Sequence, residues 1–262
     1  MMIDLAGQTA LVTGGATGLG FAIAAELGRA GARIGLGDLS RERVDAACSC
    51  LAGEGIQCAG FVADVRDRSA VEAMVRGIDD RWGAPDIVVA NAGIYPNTPF
   101  LDLSEEEWDR VFDINVKGTF LTCQVAARSM VTAGRRNGRM VVISSGAANA
   151  ALWGWSHYCA SKAAVAMLAR AMALELAEHG IRVNAVLPGY IDVEEGGAHL
   201  DETYKAAART AIPIGRPGTP QDIARAVLLL VSPLADYISG TSLVVDGGSS
   251  AGRIQVRQVT RG

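Results

Sequence analysis

Short runs of β-branched and aliphatic residues alternate along this chain with longer stretches whose apolar positions recur every three or four residues. The short runs predict strands at 9–13, 33–37, 57–62, 86–90, 139–144, 182–187 and 242–245. The longer stretches predict helices near 18–30, 40–52, 67–82, 105–133, 157–179 and 220–231. Ile87-Val88-Val89-Ala90 and Met140-Val141-Val142-Ile143 are apolar at every position, as strands covered on both faces require. Ser104 followed by Glu107 reads as a capping box, with Glu105 and Glu106 well placed in a first turn. Gly180 is a natural stop for the helix before it. Seven strands alternating with helices predict one α/β domain over 1–248: a doubly wound, seven-stranded parallel sheet with helices on both faces. Two segments break the rhythm: a polar, weakly helical stretch at 190–213 and a tail at 249–262. The tail reads most simply as a solvated end, with subunit contact as the alternative.

Composition narrows the function classes. Of 262 residues, 50% are hydrophobic and 20% charged, so a sizeable core is available and disorder is excluded. A net charge of −4 argues against nucleic acid as a partner. No run approaches the roughly 18 consecutive apolar residues of a membrane helix, and the start lacks a signal-peptide pattern. A cytoplasmic protein is expected. The five cysteines (Cys48, Cys50, Cys58, Cys123, Cys159) lack metal-site spacing, and Cys48-Ser49-Cys50 has no partner pair or histidine. Reduced thiols and no metal site follow.

Three features carry chemistry. Thr13-Gly14-Gly15-Ala16-Thr17-Gly18-Leu19-Gly20 lies between the first strand and the first helix. There the backbone amides can approach a pyrophosphate held at the positive end of the helix. Asp38 ends the next strand, where a carboxylate accepts from ribose hydroxyls and meets a 2′-phosphate with like charge. The cofactor expected is therefore NAD(H), with a helix cap before Ser40 as the other use of Asp38; Arg41 is the nearby cation considered. Third, Tyr158 and Lys162 are spaced to share one helix face, and an ammonium near a phenol favours the phenolate. Ser145, at the end of the fifth strand, points a hydroxyl into the same crevice. Neither Ser144 nor Ser145 has a hydrolase elbow around it. His157 adjoins Tyr158 but belongs to another helix face.

Thr13-Gly14-x-x-x-Gly18-x-Gly20, Asp64-Val65, Asn91-Ala92-Gly93, Asn115, Ser145, Tyr158-x-x-x-Lys162 and Pro188-Gly189 together resemble the short-chain dehydrogenase/reductase family, over about residues 5–248. The resemblance implies that Tyr158 is the acid/base and that Ser145 orients the substrate oxygen. It implies that Lys162 lowers the Tyr158 pKa and holds the nicotinamide ribose, while Asn115 supports a proton-carrying water. The implied cofactor contacts are Gly14, Thr17, Gly18, Leu19, Gly20, Asp38, Leu39, Asp64, Val65, Asn91, Ala92, Gly93, Tyr158, Lys162, Pro188, Gly189 and Ile191. Val193 stands where many relatives carry a threonine that touches the cofactor. The resemblance also implies a homotetramer formed through the long helices at 105–133 and 157–179.

The implied substrate is a small-molecule secondary alcohol or ketone. Ser145, Ile94, Tyr95, Trp153, Trp155 and Tyr190 fall where relatives line the pocket, and 190–213 would be a lid. Two tryptophans suggest an apolar or ring-containing substrate, or else core or interface packing. A 3-oxoacyl carrier-protein reductase is the alternative enzyme. Asp38 weakens it, as does the want of a basic patch beyond Arg135, Arg136 and Arg139, read as a solvated loop. A non-catalytic NAD-binding module is the alternative from another class.

Overall fold

The computed structural model describes residues 3–193, 210 and 212–252. Seven strands form one sheet in the order β3-β2-β1-β4-β5-β6-β7, every neighbouring pair parallel. They are β1 (Thr9–Thr13), β2 (Arg33–Asp38), β3 (Cys58–Val62), β4 (Ile87–Ala90), β5 (Gly138–Ile143), β6 (Ile181–Pro188) and β7 (Ser242–Val245). The helices are α1 (Gly18–Arg29), α2 (Arg41–Gly53), α3 (Arg68–Trp82), α4 (Glu105–Phe112), α5 (Gly118–Thr132), α6 (Ser156–Glu175) and α7 (Pro220–Val231). This is the expected doubly wound architecture.

The fully apolar runs behave as their pattern demands. Successive side chains of a strand point to opposite faces, so each run feeds two cores. Val12, Val89, Val141 and Ile143 pack with α1, α2 and α7 on one face. Leu11, Val88, Ala90, Met140 and Val142 pack with α3, α5 and α6 on the other. Strand order reverses direction at the β1–β4 seam, where Thr13 lies beside Ala90. Ligands of such sheets bind outside the carboxyl ends of the strands at that seam.

Several expectations need correction. The single helix expected at 105–133 is two, α4 and α5, joined by a π turn at Asp113–Lys117 that buries Asn115. Hydrophobic spacing gives no signal for one extra residue in a helical turn. The capping box is half made: Ser104 Oγ accepts from the Glu107 amide at 3.2 Å, but the Glu107 carboxylate is used elsewhere. The helix at 157–179 ends in a 3₁₀ turn, Ala177–His179, before Gly180 at φ 71°. Of Arg135, Arg136 and Arg139, read as a solvated loop, only Arg136 is exposed. Arg139 is buried and donates to Gln8 Oε1, and Arg135 pairs with Asp86 at 3.2 Å. Most of the expected lid (194–209 and 211) and the tail from 253 lie outside the described residues. No helix among the described residues is long and apolar enough to cross a membrane.

Candidate active site

The cofactor end is shaped by backbone. A Cβ on Gly20 would collide with the Gly14 carbonyl, so only glycine lets α1 begin this close to the turn. Asn91 locks that turn from β4: its Nδ2 donates to Thr13 O at 3.1 Å and to Gly14 O at 2.9 Å. Thr13 Oγ1 returns the tie by accepting from the amides of Asn91 and Ala92. Sequence reading missed Thr13 as a participant, although it opens the glycine motif. Thr17 is the N-cap of α1 but makes no side-chain cap, and the first turn holds no acidic residue. The amides of Gly18 and Leu19 therefore sit at an uncapped positive helix end, which suits a pyrophosphate.

Asp38, at the end of β2, is the next wall. Its Oδ2 accepts from the Ala16 amide at 3.3 Å and its Oδ1 from the amide of exposed Leu39 at 2.8 Å. Ser40, not Asp38, caps α2, accepting from the Arg43 amide at 3.3 Å. The nearby cation is Arg43, 3.8 Å from Asp38 Oδ1, whereas Arg41 turns to Asp45. The two arginines stand two positions apart on α2 and so face different ways, and proximity in sequence pointed to the wrong one. Asp64 is held by Arg66 at 2.6 Å, and that guanidinium keeps its carboxyl below the usual range. Val65 is buried against Gly118 at the start of α5. These positions form a continuous rim from the helix end to the β3 side of the crevice. Together they fit a nicotinamide dinucleotide.

The catalytic end is built from side chains reaching between distant segments. Ser144 Oγ donates to Lys162 O at 2.7 Å, and Lys162 Nζ donates to Ile143 O at 2.9 Å. The end of β5 thus fixes both the backbone and the head of one α6 residue. Ser145 begins a single 3₁₀ turn, its Oγ accepting from the Ala147 amide at 3.1 Å, and its hydroxyl lies close enough to the Tyr158 phenol to favour the ionised form. Tyr95 meets Tyr158 edge to face at 6.1 Å, and Lys162 Nζ lies 5.7 Å from the Tyr158 ring centre.

Burial sets the protonation states. It pushes the Tyr158 phenol up to about 12, partly offset by the nearby Ser145 hydroxyl. It pulls Lys162 down to about 8. Both groups lie in dry surroundings that favour their neutral forms.

Asn115 is fully buried at the π turn. Its Oδ1 accepts from the Ile94 amide at 2.8 Å, and its Nδ2 donates to Ile94 O and to Ser161 Oγ at 2.9 and 3.0 Å. A Cβ on Gly93 would stand 3.1 Å from Asn115 Oδ1 and 3.4 Å from Lys162 Nζ, so Gly93 keeps these two polar heads close together.

The loop after β4 is tied by residues that sequence reading set aside. Glu107 Oε1 accepts from Thr98 Oγ1 at 2.6 Å and lies 3.2 Å from Nε2 of buried His157. Burial lowers the His157 pKa, with Glu107 opposing. His157 does point away from the Tyr158 face, yet it joins α6, α4 and the loop that carries Tyr95. Trp155 Nε1 donates to Tyr95 O at 3.1 Å. The Trp153 side chain is 80% exposed, and its carbonyl accepts from Asn97.

Beyond β6, Pro188 ends the strand and Gly189 donates to Val245 O at 3.0 Å. Tyr190 O accepts from Gly218, and Ile191 bridges to Gly218 in parallel. These residues border the crevice from the β6 side.

A phenol, a hydroxyl and an amine around a crevice that fits a nicotinamide dinucleotide define an oxidoreductase site, and comparison with known proteins agrees. Residues 14–250 match a family model described as enoyl-(acyl carrier protein) reductase. The chain is 38% identical to 5-keto-D-gluconate 5-reductase of Escherichia coli strain K12, over 94% of this chain and 97% of that protein. It is 37% identical to sorbitol dehydrogenase of Cereibacter sphaeroides, over 94% and 98%. A short-chain type dehydrogenase/reductase from Mycobacterium marinum superposes with TM-score 0.91 at 37% identity, covering 96% of this chain and 98% of that one. The chain belongs to the short-chain dehydrogenase/reductase family. It is an enzyme of that class, and the family works with a nicotinamide cofactor.

Proposed function

We propose that this protein is an NAD(H)-dependent oxidoreductase that interconverts a secondary alcohol and a ketone on a small polyhydroxylated molecule. The observation that carries the reading is Lys162 Nζ, tethered to the end of β5, 5.7 Å from the Tyr158 ring, with the Ser145 hydroxyl close enough to favour the ionised phenol. A bound nicotinamide would accept or supply the hydride, which is chemistry the protein itself lacks. Gly18 and Leu19 would hold the pyrophosphate through their amides, and Asp38 would take the adenosine ribose hydroxyls. Ser145 Oγ would donate to the substrate oxygen and hold it against Tyr158 Oη. In reduction the neutral Tyr158 phenol supplies the proton; in oxidation its phenolate, which the Lys162 ammonium would favour, takes the alcohol proton. Lys162 would pass that proton onward to solvent through a water that Asn115 supports.

NAD rather than NADP is supported by Asp38, whose side chain is only 11% exposed beside the site of the 2′-hydroxyl. Arg43 offsets part of its charge, which predicts a preference rather than an absolute exclusion. A polyhydroxylated substrate is supported by the 5-keto-D-gluconate reductase and sorbitol dehydrogenase that the chain resembles. Exposed Trp153 leaves less apolar wall than two buried tryptophans would. The acyl-carrier alternative loses its basic patch, because Arg139 is buried and Arg135 is paired. A homotetramer is supported by exposed Phe120 and Val131 on α5 and Met167 and Leu174 on α6. Initial rates with NAD⁺ and NADP⁺ on polyols, aldonates and simple secondary alcohols test the proposal. Faster NAD⁺-linked oxidation of a polyol or aldonate is expected; an NADP⁺ preference, or activity confined to apolar alcohols, overturns the corresponding half.

A further inference from the structure

Cys48, on the outer half of α2, and Cys58, at the start of edge strand β3, bring their sulfurs to 2.7 Å, and both residues are partly exposed. The contact is built by the fold. Val44 and Cys48, one helical turn apart, lie on the face of α2 that covers β3, and a Cβ at Gly60 would collide with Val44 and stand 3.0 Å from Cys48 Sγ. Gly60 therefore lets α2 settle onto the strand, and Cys58, two residues earlier on the same strand face, receives Cys48. Cys50, two positions on, is exposed and turned elsewhere.

We propose that Cys48 and Cys58 are a modification site: a reversible disulfide that pins α2 to the edge strand when a disulfide oxidant is present. In the reduced protein the two thiols share one hydrogen-bonded contact. The reaction needs an oxidant, here glutathione disulfide. The Cys48 thiolate attacks one glutathione sulfur and expels the other as glutathione thiolate, which takes up a proton. Cys58 then loses its proton as its sulfur attacks Cys48 Sγ in the mixed disulfide, and the second glutathione leaves as a thiol. The protein loses two protons and two electrons, and one glutathione disulfide becomes two glutathione thiols. Burial, reinforced by Cys48, raises the Cys58 pKa, so the second attack is the slow step, on the scale of minutes to hours.

The bond closes a short loop over the α2–β3 turn. It also fastens the helix whose first turn carries Arg43 beside Asp38. Because the sulfurs already meet, the bond leaves the cofactor rim in place. The oxidised protein should melt about 5 °C higher while its affinity for NADH changes less than about two-fold.

The test uses the full chain treated with glutathione disulfide, with Cys50→Ser, Cys48→Ser and Cys58→Ser beside it. Thiol titration and intact mass report the loss of two hydrogens; cleavage after Glu54, which separates Cys48 and Cys50 from Cys58, followed by reduction, reports the connection. The proposal expects the bridge in the natural chain and in Cys50→Ser, absent from both other variants and reversed by dithiothreitol. A bridge that survives Cys48→Ser overturns it in favour of Cys50. Stable glutathione adducts without a bridge, or five titratable thiols after treatment, also overturn it. Cys50→Ser keeps both proposed partners, so misfolding of either other variant does not hide the answer.

Discussion

The two ends of the crevice are made by different means. At the β1–α1 end the working groups are backbone amides, and the turn keeps its shape because Gly20 has no side chain and Asn91 fills its carbonyls. At the β5–α6 end the working groups are side chains, each held by a residue from another segment: Ser144 on Lys162, Ile94 on Asn115, Glu107 on His157. The first kind of site fails when an atom is added. The second fails when one is removed, because a buried polar partner is then stranded.

Gly20→Ala should have the largest effect at the cofactor end. The added methyl strikes the Gly14 carbonyl, so the turn must move; NADH titration should show binding lost, with stability down by about 1–3 kcal/mol. Unchanged NADH affinity would remove the close approach as the organising feature. Asn115→Ala tests the opposite vulnerability. It strands the Ile94 amide and carbonyl and Ser161, each at about 1–3 kcal/mol, and chemical denaturation should register a loss of at least one such unit. Its NADH affinity should fall far less than that of Gly20→Ala, and its turnover should fall at least ten-fold.

Glu107→Gln should act more mildly, and with a pH signature. His157 titrates below its ordinary value of 6.5 in the folded protein, so over the window just beneath 6.5 the unfolded chain binds more protons. Stability therefore falls as pH drops through that window and levels off once folded His157 is itself protonated. Glu107 opposes the depression, so its neutralisation widens the window downward. Melting temperatures taken between about pH 5 and 8 should show steeper acid loss in Glu107→Gln than in the natural chain. The smallest effect is far from either end. Asp222 caps α7 with Thr219 in a reciprocal box and accepts from Arg216 at 2.7 Å, which holds its carboxyl well below the usual 3.8. Its contribution is present at neutral pH and is lost as pH falls below 3.8 toward the folded value. Asp222→Ala should cost about 1 kcal/mol in denaturant unfolding, with no change in kcat.

The same contrast explains what could be read in advance. Strands such as Ile87–Ala90 were legible because a run apolar on both faces has few other homes in a structure. The glycine turn and the Tyr158–Lys162 spacing were legible because their geometry is local. The π turn at Asp113–Lys117 was not, since nothing in apolar periodicity marks an inserted helical residue. Nor were Thr13, Arg43 and Glu107: each acts on a group fixed by the folded chain, and a single sequence does not display that pairing. Lys162 shows the limit on electrostatics. Spacing placed it near the phenol, but only burial and the Ile143 carbonyl reveal an amine pulled down to about 8.

The central claim is that Tyr158 moves the proton while the backbone end holds the cofactor independently. Tyr158→Phe removes one oxygen from the catalytic end and nothing from the other, so the decisive measurement is its turnover beside its NADH affinity. Turnover should fall by about 10²–10⁴-fold, with NADH bound within about two-fold of the natural chain. Turnover within ten-fold of the natural chain, with the cofactor still bound, would contradict it.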